Sequence, residues 1–342
     1  MSIRTLTRAA LVGGLALAVF AATPAAASSP PTQNRGDAAA GWLARQMVDG
    51  ERFEAVFDGV AYPDQGLTVD AVFAFAATGT ADDYAARALN WLASPGITSG
   101  YIGDGTESYA GATAKLSLAV QVRGGDPSHF GGFDLETRLR ALETASGRFA
   151  DQSAFGDYSN GFSQSLAVLT LDRTTGGAPA TAVDFLAAAR CADGGYPLLF
   201  AQTTCTSDVD VTAMAVQAFI AAGRWSDAAA GLCWLVSVQS ANGSFSALGV
   251  ENANSTGLAA QALQAGGRLA AAAKARTFVR GLQVDCTGTA ADRGAIRFKA
   301  GPLDPATAKR ATAQAVLGLA LVSLGHLDAT GAQTGDPVLS CQ

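Results

Sequence analysis

The stretch at residues 211–216, Val-Thr-Ala-Met-Ala-Val, is one copy of a pattern that recurs along this 342-residue chain. The pattern occurs six times, at intervals of 44 to 56 residues, and the second position of each copy is Thr or Ser. These six marker positions are Thr68, Thr113, Ser163, Thr212, Thr256 and Thr312. Repeats of this length are typical of helical units that stack side by side, because a single unit cannot bury its own apolar face.

Each repeat has two helical halves joined by a loop. The marker lies in an alanine-rich second half, and several second halves end at a glycine such as Gly223, which enters the left-handed conformation at little cost. The first halves place apolar residues three and four positions apart, as amphipathic helices do. The loop pattern Gln-x3-Gly-x-aromatic runs from Gln239 through Gly243 to Phe245, and related loops occupy residues 46–53, 152–158 and 190–196. We expect the glutamine to bind free backbone groups, the glycine to turn the chain and the ring to pack between helices.

Six helix–loop–helix units with such loops resemble the terpenoid cyclase/protein prenyltransferase superfamily, which has squalene-cyclase-like repeats. The unit at residues 239–267 is similar to the toroids of secreted corrinoid-binding proteins and related bacterial exported proteins. The resemblance spans roughly residues 37–328. It implies an all-α (α/α)6 toroid, with about twelve helices in two concentric layers. The marker helices would then form the inner layer, with their N-terminal ends around one mouth.

Composition excludes several classes of function. Apolar residues make up 49% of the chain, which argues against intrinsic disorder. The formal charge of −6, without a cluster of Lys or Arg, argues against nucleic acid as a partner. With only two histidines, His129 and His326, and no Cys-x-x-Cys spacing, we expect neither a metal site nor a cofactor.

The N-terminus has the features of an export signal. Arg4 and Arg8 precede a short apolar run that ends in Ala25-Ala26-Ala27, the pattern of a secretory signal peptide cleaved after Ala27. We expect residues 28–36 to form a flexible leader and residues 37–342 a single toroid domain. No later apolar run is long enough for stable insertion into a membrane. The mature protein is therefore expected to be secreted and monomeric.

Five cysteines remain for an oxidising compartment. Cys191 and Cys205 bracket a short loop, so we predict that they pair, and a Cys286–Cys341 bridge would anchor the C-terminal tail. Cys233 lies in an apolar run, which favours a buried free thiol.

The clearest candidate site residues precede two of the marker helices. The sequence Asp208-Val209-Asp210-Val211 resembles the Asp-x-Asp-Asp acid of class II cyclases, with Asp210 at the proton donor but Val211 at the last aspartate. The next unit carries Asn252 and Asn254 in the same register, and asparagine cannot act as an acid. Because Asp and Asn share the ability to cap helices, we interpret these residues chiefly as caps, with ligand contact and acid catalysis by Asp210 or Asp208 as the alternatives.

These observations support three hypotheses about function. The first is a non-catalytic protein that binds a small apolar or corrinoid-like ligand, or a partner, at the mouth of the toroid. Its largest pocket would open there and contact at least two of the following residues: Asp208, Asp210, Asn252, Asn254 and Ser255. The second is a degenerate class II cyclase-like enzyme with Asp210 as general acid. The third is glycan cleavage by two carboxylates across the mouth, with Asp70 and Asp210 as the pair to examine.

Overall fold

The computed structural model describes residues 29–341, and the segment predicted to be a signal peptide lies outside them. Thirteen α-helices run through the described residues. They are α1 (Arg35–Arg45), α2 (Gln65–Thr78), α3 (Asp82–Leu92), α4 (Pro95–Ile102), α5 (Ala110–Val122), α6 (Leu135–Ala141), α7 (Gly161–Asp172), α8 (Ala180–Ala188), α9 (Val209–Ala221), α10 (Trp225–Val238), α11 (Ala253–Ala265), α12 (Leu269–Leu282) and α13 (Pro305–Ala320).

Six of these helices form a closed inner ring. The ring runs α2, α5, α7, α9, α11, α13 and back to α2, and each helix packs on the next. Every marker Thr or Ser lies in one of these six helices and is buried. Helices α1, α3, α6, α8, α10 and α12 form the outer layer, and α4 is an additional short helix between α3 and α5. The all-α (α/α)6 toroid is confirmed.

Small residues allow the inner helices to approach closely. A Cβ atom built on Gly257 of α11 would lie 2.7 Å from the Cα of Ala315 in α13, and one on Gly318 would lie 2.3 Å from the carbonyl oxygen of Gly257. Since real Cβ atoms do not come that close to backbone, these two helices need glycine at their contact. The high content of Ala and Gly thus reflects the tight inner ring.

The strands are short and mostly form hairpins in the loops. Three antiparallel pairs and one parallel pair are present among the described residues. They are β1 (Pro31–Thr32), β2 (Glu54–Phe57), β3 (Val60–Pro63), β4 (Tyr196–Pro197), β5 (Ser207–Asp208), β6 (Ser246–Ala247), β7 (Val250–Glu251) and β8 (Val338–Leu339). In the segment expected to be a flexible leader, β1 pairs in parallel with β8 and α1 begins at Arg35.

The loop motif is confirmed at three places and wrong at one. Phe53, Tyr196 and Phe245 are buried, and the Gln239 amide donates to the carbonyl oxygens of Gly243 and Ala271. Tyr158, in contrast, is 71% exposed. The ring that packs inward in that unit is Phe149, whose backbone N–H donates to the side chain of Gln164.

The cysteines pair as predicted, but the environment of the free Cys233 differs from the predicted one. Cys191–Cys205 and Cys286–Cys341 are disulfides with Cα–Cα distances of 5.4 and 5.5 Å. Cys233 is free, as expected, yet exposed rather than buried. It lies on the solvent side of α10, where Leu232 and Leu235 take the buried positions of the helix.

Candidate functional site

A central cavity lies inside the ring, towards the N-terminal ends of the inner helices. Its volume is about 320 Å³, at the lower end of the range for ligand pockets. All six inner helices contribute to its wall. The lining residues are Asp70, Phe73, Lys115, Phe162, Leu166, Asp210, Met214, Asn254, Leu258, Gln261, Ala313, Gln314, Leu317 and Leu324.

The repeat pattern explains which side chains face this cavity. Residues two positions after the marker line it in five of the six units, as Asp70, Lys115, Met214, Leu258 and Gln314. The second helical residue lines it in three successive units, as Phe162, Asp210 and Asn254. Equivalent positions in a closed ring of repeats point to the same axis, so the repeat alignment was the signal by which Lys115 and Gln314 could have been found.

Asp208 and Asp210 have different roles at the start of α9. Oδ1 of Asp208 accepts hydrogen bonds from the backbone N–H groups of Asp210 and Val211, both at 2.9 Å, so Asp208 is the N-cap. Asp210 is already inside the helix and points to the cavity. The interpretation of Asp210 as a cap is therefore wrong, because Asp208 already accepts the free N–H groups and the Asp210 side chain faces the cavity.

Asp210 is an unusual carboxyl group. Burial raises its pKa to about 6, an effect that the nearby Ser255 hydroxyl opposes and the charge of Asp208 increases. Its Oδ1 is buried and has no hydrogen-bond partner within the described part of the chain. A group with this pKa changes its charge near neutral pH, and it can donate a proton or bind a cation there.

The next unit repeats this division of roles with asparagines. Oδ1 of Asn252 accepts from the backbone N–H of Ser255 at 2.8 Å and caps α11, while Asn254 lines the cavity. Ser255 is buried beside the cap, where its Oγ accepts from the Asn252 amide at 3.2 Å, and it does not line the cavity. Of the five residues expected at the mouth, the structure brings Asp210 and Asn254 to the cavity.

A polar network crosses the opposite wall. Lys115 Nζ lies 2.5 Å from Asp70 Oδ1 and donates to the carbonyl oxygen of Gly66 at 3.0 Å. The Gln314 amide donates to Asp70 Oδ2 at 3.1 Å, and the Asn254 amide donates to Gln314 Oε1 at 2.6 Å. Burial alone would lower the pKa of Lys115, but the Asp70 carboxylate outweighs this effect and the pKa is raised, so Lys115 stays charged. Asp70 is thus neutralised by its partners, in contrast to Asp210.

Exposed apolar side chains lie on two hairpins at this end of the toroid. The β2–β3 hairpin, directly before α2, exposes Phe57 and Val60, and the β6–β7 hairpin, directly before α11, exposes Leu248. Apolar residues on loops at the mouth of a cavity are typical of sites that meet apolar ligands or partners.

We expected the pocket of largest volume to lie at the mouth of the toroid, and this expectation is wrong. A depression of about 600 Å³ on the outer face, lined by residues that include Asp193, Cys233 and Trp234, is larger than the central cavity. It is shallow and more open, because outer helices do not enclose space as the inner ring does.

Among residues 29–341 there is no group of three or more His, Cys, Asp or Glu side chains placed to hold a metal ion. The described helices also include none that is long and apolar enough to cross a bilayer.

Comparison with known proteins identifies the fold but not a sequence family. No family model matches the chain, and no curated protein matches it. Among solved structures, the type II terpene cyclase MstE from Scytonema has a TM-score of 0.63 at 14% identity, over 84% of this chain and 96% of that one. ent-Copalyl diphosphate synthase from Streptomyces platensis has a TM-score of 0.51 at 14% identity, over 76% of this chain and 51% of that one.

A third structural neighbour has a different chemistry. An unsaturated glucuronyl hydrolase specific for heparin has a TM-score of 0.57 at 11% identity, over 84% of this chain and 96% of that one. Because terpene cyclases and glycosidases act on unrelated substrates, these likenesses show architecture and leave activity to the residues of the cavity. The chain has the terpenoid cyclase-like α/α toroid fold.

Proposed function

We propose that this toroid is a binding protein that holds a small, largely apolar ligand in its central cavity. One observation carries the proposal: a cavity of about 320 Å³ whose wall combines Phe, Leu and Met side chains with a few polar groups at one end. Such concave, mostly apolar spaces with few polar groups are the usual binding sites for small molecules. The volume favours a small ligand over a corrinoid macrocycle.

Two further features support the proposal. The exposed Phe57, Val60 and Leu248 lie on hairpins directly before two inner helices, at the end where an apolar ligand would enter. The two disulfides are typical of proteins in oxidising compartments, so we also propose that the protein acts after export, as the N-terminal sequence predicts.

The test is to fill the cavity. Ala313 is buried on α13 and lines the cavity, so Ala313→Phe should occupy part of the binding space. With octanol as a neutral apolar probe in calorimetry, we expect binding to the wild type and a loss of about tenfold or more in affinity for the variant. The matched control is Ala273→Phe, at an exposed position on the outer helix α12. Equal octanol affinity in the wild type and Ala313→Phe would show that the cavity is not the binding site.

One observation favours acid catalysis as a second candidate. Asp210 is a buried carboxyl with a pKa raised to about 6 in an apolar cavity, and carbocation chemistry needs a proton donor in such surroundings. A variant of the Scytonema cyclase, one of the structural neighbours, holds geranylgeranyl dihydroxybenzoate as its substrate. Incubation with that compound separates the candidates: a cyclised isomer that disappears in Asp210→Asn would establish an enzyme, and unchanged compound is expected of a binding protein.

A further inference from the structure

We infer that the polar end of the cavity recognises a protonated amine, so that the ligand is a small cationic amine with an apolar body. This inference rests on the proposed binding function and names its ligand class. It follows from which polar atoms of the cavity wall are already paired and which are not.

The unpaired atoms are acceptors. Asp210 Oδ1 and Asn254 Oδ1 are buried side-chain oxygens of cavity-lining residues, and neither has a hydrogen-bond partner within the described part of the chain. They lie at equivalent positions of the adjacent helices α9 and α11. Two acceptors cannot satisfy one another, and a buried acceptor without a donor is destabilising. A ligand that brings N–H donors would remove this cost.

Lys115 and two of the three amides on the wall, those of Gln314 and Asn254, already donate to protein acceptors, and within the described chain only the Gln261 amide does not. Lys115 is held by Asp70 and by the carbonyl oxygen of Gly66, and the Gln314 amide is also held by Asp70. The Asn254 amide in turn donates to Gln314. A ligand carboxylate or phosphate would have to compete with Asp70 for these groups, so the wall is poorly prepared for an anion.

The charges of the wall favour a cation. Lys115 is the one basic residue among the lining residues of the described chain, and Asp70 neutralises it. Asp210 then leaves the wall with a net negative charge when it is ionised. Arg310, at the rim, is half-exposed; it pairs with Asp64 at 2.7 Å and also lies 4.0 Å from Asp70 Oδ2. A protonated amine would meet Asp210 in surroundings of low dielectric, where a charge-assisted hydrogen bond is strong.

The experiment uses three probes with the same apolar body, namely octylammonium, octanol and octanoate. Calorimetry at pH 7.5 should show octylammonium binding about tenfold or more tightly than octanol, and octanoate binding more weakly than octanol. In Asp210→Asn the preference for octylammonium over octanol should disappear, while the affinity for octanol stays. The matched control is Asp208→Asn, which removes a nearby charge but keeps the cap, and it should retain the preference.

The outcomes separate the inference from the proposed function. If octanol binds as tightly as octylammonium, or if the preference survives Asp210→Asn, the inference is wrong. The proposed function nevertheless stands in that case, provided that Ala313→Phe weakens octanol binding. If none of the three probes binds the wild type, both are wrong.

Discussion

At the scale of single residues, two aspartates separated by one position perform different tasks. Asp208 satisfies free backbone N–H groups of α9, whereas Asp210 faces a cavity without a partner for Oδ1 within the described chain. Positions two apart on a helix are rotated by about 200° around its axis and so face nearly opposite directions, which lets one bind the helix end while the other faces the ring axis. Asn252 and Asn254 repeat this division, which explains why both members of the Asp-x-Asp pattern have an Asn counterpart.

The raised pKa of Asp210 predicts a pH-dependent stability. In the unfolded chain an aspartate titrates near 3.9, and in the folded protein Asp210 titrates at about 6, so the folded state binds the proton more tightly between these values. The stabilising contribution of the protonated form is complete below pH 3.9 and is lost as the pH rises through about 6. Two pKa units correspond to on the order of 2–3 kcal/mol.

Asp210→Asn should therefore be more stable than the wild type at pH 7.5, because it carries no charge to desolvate. The difference should shrink as the pH falls from 6 to 4. Denaturant unfolding of both proteins at several pH values measures this directly. A constant difference across the range would contradict the burial of an ionisable Asp210.

At the scale of elements, the marker hydroxyls connect the loops to the inner helices. The hydroxyl of Thr256 accepts a hydrogen bond from the backbone N–H of Phe245 at 2.9 Å, and Thr212 does the same for Tyr196 at 2.8 Å. Thr68 and Thr312 make equivalent bonds to Phe53 and Ile296. In four units the marker hydroxyl thus accepts a hydrogen bond from a buried backbone N–H of the loop, which explains why the repeat has Thr at this position.

Thr256→Val keeps the shape of the side chain but leaves the Phe245 N–H buried and unpaired. We expect the free energy of unfolding to fall by about 1–3 kcal/mol. The matched control is Thr277→Val in the outer helix α12, where the hydroxyl is exposed and bonded only to Ala273 of its own helix, so the change should be small. Equal effects of the two substitutions would show that the hydrogen bond to the loop contributes little.

At the scale of the whole molecule, the two ends of the described chain close the ring. The Cys286–Cys341 bridge ties the C-terminal tail to the loop after α12, and β8 pairs with β1 beside α1. Arg45 of α1 donates to the carbonyl oxygen of Asp336 at 2.6 Å, which holds the tail against the outer layer.

Loop length predicts the relative importance of the bridges. Cys286–Cys341 spans 55 positions and Cys191–Cys205 spans 14. Because a longer closed loop restricts the unfolded chain more, replacing the first pair by serine should cost about 4 kcal/mol and the second about 3 kcal/mol. Denaturant unfolding of the two double variants tests this order.

Thiol titration of the native protein should find one reactive thiol, Cys233, and a count of three or more would show that a bridge is absent.

The sequence by itself determined the architecture of this protein. Six marker positions at near-regular spacing, alanine-rich segments and glycine turns are local signals, since each repeat must form its helices and loop before it can pack. The disulfide pairs were also predictable, because each pair of cysteines brackets a loop or tail. Where a unit departs from the pattern, sequence reasoning failed: Gln164 of α7 replaces the marker hydroxyl as partner of the loop backbone at Phe149, so the loop was misplaced at residues 152–158.

Only the tertiary structure decided the composition of the cavity. Asp70, Lys115 and Gln314 lie far apart in the sequence. Their helices surround one cavity only because α13 packs on α2 and closes the ring. Whether a carboxylate there is paired with a cation, like Asp70, or has an oxygen without a partner in the described chain, like Asp210, depends on side chains contributed by other repeats. Charge, burial and hydrogen bonding at the site are therefore properties of the closed ring, because no single repeat contains both members of these contacts.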